Sequence, residues 1–297
     1  MQIVTLRDPT APVVAQFVPQ AGMIGISLTD DGVELLGQRR GLDAYVSAGK
    51  TMGLPILYPW ANRLSTNTYQ VDGELVDIAP GAAGVRTDDN GLPIHGLLAA
   101  DRGWRVTAQS ADELVAELDF GARADLLASF PFPHLLEVGV TLRDRTLTVR
   151  TVVTPTADKA VPLCFGFHPY LQLPEVPRRQ WTVQTPALRH LAVDGRGLPT
   201  GASTRQPAAS QMLGDTVFDD GYDEVADGAL FAVSGGNRRI EVVFEQGYPA
   251  AQIFAPAGAE LICFEPMAAP TDALTHGGYA TARPGQAAVA QFSIRVA

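Results

Sequence analysis

The chain has 297 residues, 46% of them hydrophobic and 18% charged, and a formal net charge of −10. That acidic balance argues against nucleic acid or anionic lipid as partners, because both are held by clustered Lys and Arg; the apolar share supports a real core and excludes a disordered chain. Two cysteines, Cys164 and Cys263, are too few for a disulfide framework and read as buried free thiols. With no signal-peptide pattern or bilayer-length apolar run, the expectation is a cytoplasmic protein.

In chain order, short alternating stretches are broken at Asp-Gly or Gly-rich turns, the pattern of antiparallel hairpins. The breaks fall at Asp31-Gly32 in "GISLTDDGVELLG", Asp72-Gly73 in "TYQVDGELVDI", Asp194-Gly195 and Asp227-Gly228, with "SGGN" between "ALFAV" and "RRIEVVF". Helical candidates are few and short, "ADLLASF" (124–130) being the best. In "LEVGVTLRDRTLTVRTVV", Leu136, Val138, Val140 and Leu142 share one face, as do Leu147, Val149 and Val153 on the return, a period of two and not 3.6. Residues 195–210, "GRGLPTGASTRQPAAS", read as a long surface loop of the kind that borders a site. No repeat, low-complexity tract or linker interrupts the chain, so residues 1–297 are expected to form a single domain, an all-β, large antiparallel β-sandwich.

Four stretches place chemistry at strand ends. "LPILYPWANRL" sets Trp60, Asn62 and Arg63 after a strand stopped by Pro59, and "NGLPIHGLL" sets His95 before a glycine. In "CFGFHPYLQLP", Cys164, Gly166 and His168 share one strand face, opposite Phe165 and Phe167, and Pro169 ends the ladder. His168 then faces a space that Gly166 keeps clear. "ELICFEPM" repeats this with Cys263 and Glu265 on one face, Phe264 on the other and Pro266 next. A carboxylate in an apolar strand needs a reason, because burying it unpaired is costly. An imidazole and a carboxylate across a cleft have ordinary pKa values near 6.5 and 4.3, a range from which a general acid and base can be tuned.

Together, "PWANRL", "PIHGLL…RGW", "GFHPYLQLP" and "FEPMAAPTDAL", in that order from Pro59 to Leu274, resemble the motifs of the aldose 1-epimerase (mutarotase) family. The resemblance implies a β-sandwich of the galactose-mutarotase type and an isomerase that interconverts the α and β anomers of a free aldose such as glucose or galactose. On that resemblance Glu265 is the general base at the anomeric hydroxyl and His168 the general acid at the ring oxygen, on opposite sides of the bound sugar. Arg63, His95 and Gln252 would hold sugar oxygens, as would Asp219 or its neighbour Asp220, and Trp60 or Tyr170 would supply an apolar platform. Leu97, Ala268 and Asp272 depart from residues common in relatives and bear on substrate preference.

The partner is thus a small-molecule sugar; the sequence leaves oligomeric state open. Proton transfer between two oxygens needs neither cofactor nor metal, and the singly scattered histidines disfavour a metal-dependent barrel built on His95, His168 and Glu265. Two alternatives are a hexose-6-phosphate 1-epimerase, for which Arg63, Arg86 and Arg102 are available, and a non-catalytic sugar-binding module. His134, His190 and His276 lie outside the motifs and read as surface or strand-end histidines.

Overall fold

A computed structural model describes residues 1–297. Two large sheets dominate it, and every strand pairing in them is antiparallel. The first has nine strands, in the order Ala209–Met212, Thr182–Thr185, Ala229–Gly235, Arg238–Gln246, Ala288–Val296, Thr146–Pro155, His134–Arg143, Glu113–Asp119 and Arg105–Gln109. The second runs Pro199–Gln206, Leu188–Val193, Phe218–Asp223, Ala250–Ala255, Ile262–Met267, Gly166–Phe167 and Ile56–Leu57, with Tyr170–Leu171 also pairing onto Ile262–Met267. A smaller four-stranded sheet spans Val4–Arg7 to Val33–Glu34.

The inner faces of the two large sheets meet through aromatic side chains. Phe264 lies 5.6 Å from Phe231, and Phe167 lies 5.1 Å from Phe292, ring centroid to ring centroid. One core cluster of 67 buried residues takes members from Val4 to Val296. Burial of this kind contributes about 25 cal/mol per Å² of apolar surface removed from water. Alternation in the longest hairpin follows the sequence: Leu136, Val138, Val140 and Leu142 are buried and pair with Val153, Thr151, Val149 and Leu147. Its turn places Asp144 and Arg145 at φ 49° and 61°, the backbone of a type I′ turn built without glycine.

Asp31-Gly32, Asp72-Gly73 and Asp194-Gly195 each lie between antiparallel partners. Asp227-Gly228 does not close a hairpin: it connects Phe218–Asp223 in the second sheet to Ala229–Gly235 in the first. The expected loop at 195–210 is also corrected, since it contains the whole strand Pro199–Gln206 and the start of Ala209–Met212. Both are terminal strands of their sheets and largely exposed, so neither shows alternation. Ala124–Leu127 forms a short helix inside "ADLLASF". A longer one, Gly41–Ala48, has a single buried residue, Tyr45, and gives little periodic signal. No helix is long and apolar enough to cross a membrane.

Candidate active site

Strand register assembles the candidate residues on the second sheet. Gln252 pairs directly with Glu265, and Gly221 with Gln252. One pleat along, Asp219 pairs with Phe254, Phe254 with Cys263, and Cys263 with Tyr170. Because side chains two residues apart share a face, Asp219, Gln252, Phe254, Cys263, Glu265 and Tyr170 project from the side opposite Phe264 and Ile253. Gly221 leaves room for the amide of Gln252, whose Oε1 would lie 3.2 Å from a Cβ added there.

His168 stands where its strand breaks, between Gly166–Phe167 and Tyr170–Leu171. Pro169 supplies no amide donor there, and the backbone is held from the side by His168 N to Pro55 O at 3.1 Å and Tyr170 N to Gly53 O at 2.8 Å. Gly166 does not keep a space open for the histidine. A Cβ on it would meet Pro266 O at 2.6 Å, so its role is to let the strands bearing His168 and Glu265 approach closely.

Loops at the sheet edge supply the remaining groups. His95 N donates to Asn62 O at 2.9 Å, and Leu64 N donates to Pro93 O at 2.9 Å, which joins the Trp60–Arg63 and His95 loops. Asp272 ties in a third loop: its amide donates to Arg63 O at 3.0 Å, and its Oδ1 accepts from Ser65 N at 2.8 Å. His95 has φ +63°, directly before Gly96 at +69°. A side chain in the left-handed region costs about 1 kcal/mol, and such strain concentrates at functional sites.

His168 Nε2 lies 3.3 Å from Glu265 Oε1, and the two side chains are 7% and 2% exposed. Contact at that distance leaves no room for a sugar ring between them, which corrects the expectation of an acid and a base on opposite sides of the substrate. The pair instead presents one wall. Burial drives Glu265 well above the ordinary carboxyl range, with Asp219 adding to the rise and Arg63 opposing it. Burial also drives His168 well below the ordinary imidazole range, and His95 and Arg39 push the same way. Both shifts run toward the uncharged form of the group concerned, as burial dictates.

Around the pair, Gln252 Nε2 donates to Asp219 Oδ1 at 2.8 Å. Asp220 points to the other face and pairs with His190 at 3.0 Å. Arg63 is braced by Asp88 Oδ2 at 2.7 Å and Asn62 Oδ1 at 3.0 Å. A hollow of about 270 Å³ is lined by Arg63, Asp219, Gln252 and Thr271. On the other flank a hollow of about 460 Å³ is lined by Lys50, Thr51, Arg86 and His95. His95 lies edge-on to His168, ring centroids 5.8 Å apart, and burial brings its pKa down to about 3, with Arg63 and Arg86 contributing. A further hollow of about 480 Å³, between Phe165, Pro249 and Ala290, holds none of the candidate residues.

Trp60 and Tyr170 are not placed as platforms. Trp60 is 1% exposed within the main core. The Tyr170 ring is stacked on His168 at 4.2 Å and has the Arg39 guanidinium 5.1 Å from its centroid, so neither face is free. Phe254, which the sequence reading missed, is half-buried on the site face and lies edge-on to His168 at 5.8 Å. Its place two residues after Gln252 was the available signal. His134, read as surface or strand-end, is fully buried; its Nδ1 donates to Phe132 O at 2.5 Å and its Nε2 accepts from Tyr58 at 2.6 Å. No group of three or more His, Cys, Asp or Glu side chains is arranged to hold a metal ion.

This fold is that of the galactose mutarotase-like proteins. The chain superposes on the Slr1438 protein of Synechocystis sp. PCC 6803 with a TM-score of 0.82 at 22% identity, covering 100% of this chain and 96% of that one. It superposes on a galactose mutarotase-like protein from Clostridium acetobutylicum with a TM-score of 0.84 at 17% identity, covering 99% and 95%. The uncharacterized protein YihR of Escherichia coli K12 is 28% identical over 148 residues, a match that spans 49% of this chain and 44% of that relative's length. The aldose 1-epimerase family model matches residues 4–295, and the chain belongs to that family.

Proposed function

We propose that the protein is an aldose 1-epimerase that interconverts the α and β anomers of a free aldose, such as glucose or galactose, by general acid/base ring opening. The observation that carries this reading is the 3.3 Å contact between His168 Nε2 and Glu265 Oε1 on a sheet face shared with Gln252 and Asp219. The anomeric hydroxyl and the ring oxygen are both bonded to C1, so a contiguous acid and base can reach both from one wall.

In the forward step Glu265, as carboxylate, takes the proton of the anomeric hydroxyl, whose electron pair forms the carbonyl. The bond between C1 and the ring oxygen breaks, and that oxygen takes a proton from Nε2 of His168. Rotation about C1–C2 turns the carbonyl over, and reversal of both transfers closes the ring on the other face. Glu265 as acid with neutral His168 is thus both the state that burial favours and the state left by ring opening. Ring opening gives one proton to Glu265 and takes one from His168, and closure reverses both, so the chemistry requires no cofactor.

Arg63, Gln252 and Asp219 are assigned to sugar hydroxyls on one flank and His95 to the other. His95 Nδ1 is buried without a partner, and a substrate hydroxyl is the group assigned to it. Phe254 is assigned the apolar contact in place of Trp60 and Tyr170. The main core cluster, with members from Val4 to Val296, supports one domain, and two free buried thiols support a reducing, cytoplasmic setting.

Polarimetry on freshly dissolved α-D-glucose and α-D-galactose tests the reading, with acceleration over buffer expected for at least one. Sugar binding with no anomer exchange across a panel of aldoses would overturn it in favour of a binding module. A second reading, a hexose-6-phosphate 1-epimerase, draws on the cations of the larger hollow. Arg86 donates to Ala99 O at 3.2 Å and, like Lys50 beside it, meets no carboxylate. Exchange on glucose 6-phosphate faster than on glucose, with Arg86→Ala slowing only the former, would favour that substrate.

A further inference from the structure

The hairpin of Leu188–Val193 and Pro199–Gln206 joins the second sheet only through Arg189, His190 and Leu191, which pair with Asp223, Tyr222 and Gly221. Its own register shifts after Leu191, and the tip beyond that bulge leaves the sheet. There Asp194, Gly195 and Gly197 line the hollow of about 270 Å³ together with Arg63, Asp219 and Gln252. The tip holds its own shape: Asp194 Oδ1 accepts from Arg196 N at 2.8 Å and Leu198 N at 3.0 Å, and Gly197 N donates to Asp194 O at 3.0 Å. Leu198, 4% exposed, seats the turn.

Gly197 has φ +77°, and a Cβ built on it would lie 3.1 Å from Arg63 Nη1 and 3.3 Å from Cζ. The turn therefore meets the guanidinium with backbone alone. Arg63 Nε and Nη1 are engaged by Asp88 at 2.7 Å and Asn62 at 3.0 Å, which leaves Nη2 for a substrate oxygen.

We propose that the turn Asp194–Leu198 is the specificity-determining roof of this flank, and that Gly197 sets the Arg63 guanidinium beneath it. The proposal rests on the epimerase reading and narrows its substrate to an aldose whose hydroxyls on the Arg63 flank are free. A hydroxyl tied to Arg63, Asp219 or Gln252 lies under the roof, and a second sugar unit joined to that oxygen would need the space the turn fills. The hollow on the His95 flank, about 460 Å³, is larger and takes no residue from this hairpin, so a substituent directed there is tolerated. Refusal of a reducing disaccharide thus depends on where its reducing unit is substituted, a discrimination made by clash.

Gly197→Ala puts a methyl group against a guanidinium that two bonds hold in place, and it also strains the backbone. Gly201→Ala, in the same hairpin at φ +87°, carries that strain with nothing within 4 Å of its Cβ, and so isolates the contact. In Gly197→Ala the KM for glucose should rise about fivefold with kcat little changed, the mark of lost uniform binding, and the calorimetric Kd should follow it. Gly201→Ala should lose comparable stability and keep its KM. Equal KM and Kd in the two variants would overturn the role of Gly197.

The roof itself is tested with glucose disaccharides joined through O2, O3, O4 or O6 of the reducing unit: kojibiose, nigerose, maltose and isomaltose. Anomer exchange is read by ¹H NMR at the reducing C1. The wild type should exchange at least one of them about tenfold or more slowly than glucose. Replacing residues 194–197 with Asn-Gly, which closes a tight hairpin, should speed the refused linkage relative to glucose. Asp194→Ala, which removes two bonds that shape the turn, should act in the same direction and serves if the shortened chain does not fold. Exchange of all the disaccharides at the rate of glucose, or a refused linkage that stays refused in the folded variants, would overturn the roof. Absence of exchange on every sugar would remove the epimerase reading, and the calorimetric comparison of Gly197→Ala with Gly201→Ala would still decide the contact with Arg63.

Discussion

Gln252 and Glu265 are direct cross-strand partners between Ala250–Ala255 and Ile262–Met267, and Gln252 in turn donates to Asp219 at 2.8 Å. This register, more than any single motif, ties the candidate sugar-binding residues to the candidate base. Changes in it should be read in both rate and stability.

Glu265→Gln should abolish most turnover while raising thermal stability at pH 7. The rate should fall by about 10²-fold or more, the usual effect of losing a positioned base, and His168→Asn should match it. The stability gain follows from linkage. Glu265's folded-state pKa lies above its unfolded value, so the native state loses stability as pH rises from the unfolded pKa through the folded one. An uncharged glutamine removes that loss, and a thermal melt of the variant lower than wild type at pH 7 would contradict the assignment.

Asp219→Asn should raise KM about tenfold, as expected when a charged hydrogen-bonding partner of a hydroxyl is neutralised. It should also lower the pKa of Glu265, because the Asp219 charge contributes to its rise. The carboxylate then persists to lower pH, and the acid limb of kcat/KM should move down. Rates measured across pH 4 to 8 with both proteins decide this; an unmoved limb would place Asp219's charge out of Glu265's reach.

His134 should make the fold acid-sensitive. Burial holds its pKa down to about 4, against 6.5 in the unfolded chain. The unfolded state therefore binds the proton first, and stability is lost as pH falls from 6.5 to about 4, reaching about 3 kcal/mol. Urea denaturation at several pH values should show His134→Gln less stable at pH 7 but with a flatter fall. Parallel curves for variant and wild type would rule this histidine out as the source.

Gly166→Ala should cost about 1–3 kcal/mol, the range for overpacking a tight site. Its Cβ would lie 2.6 Å from Pro266 O, on the residue next to Glu265. Activity should drop with stability, since the strand that carries the base must shift. A variant with wild-type melting and rate would show that the two strands have slack.

Much of the site was legible because it depends on local geometry. Pro169 marks where the strand carrying His168 breaks, and alternation put Phe264 opposite Glu265 and Cys263 beside it. The strand Ile262–Met267 continues through Pro266, however, so Glu265 does not stand at a strand end as the sequence suggested. Other features left weaker traces. The Gly41–Ala48 helix buries only Tyr45, and the Pro199–Gln206 strand sits at a sheet edge with most side chains in water. Asp227-Gly228 has the chemistry of a hairpin turn, yet the strands beside it belong to different sheets.

By itself the sequence determined which side chains share a face, since that follows from backbone geometry over two or three residues. Only the tertiary structure decided that His168 and Glu265 touch, that Asp219 and not Asp220 meets Gln252, and that Tyr170 is enclosed between His168 and Arg39. Those outcomes come from the register of strands distant in the chain and from the packing of the core beneath them. Register is fixed by hydrogen bonds and burial between segments that no local pattern relates.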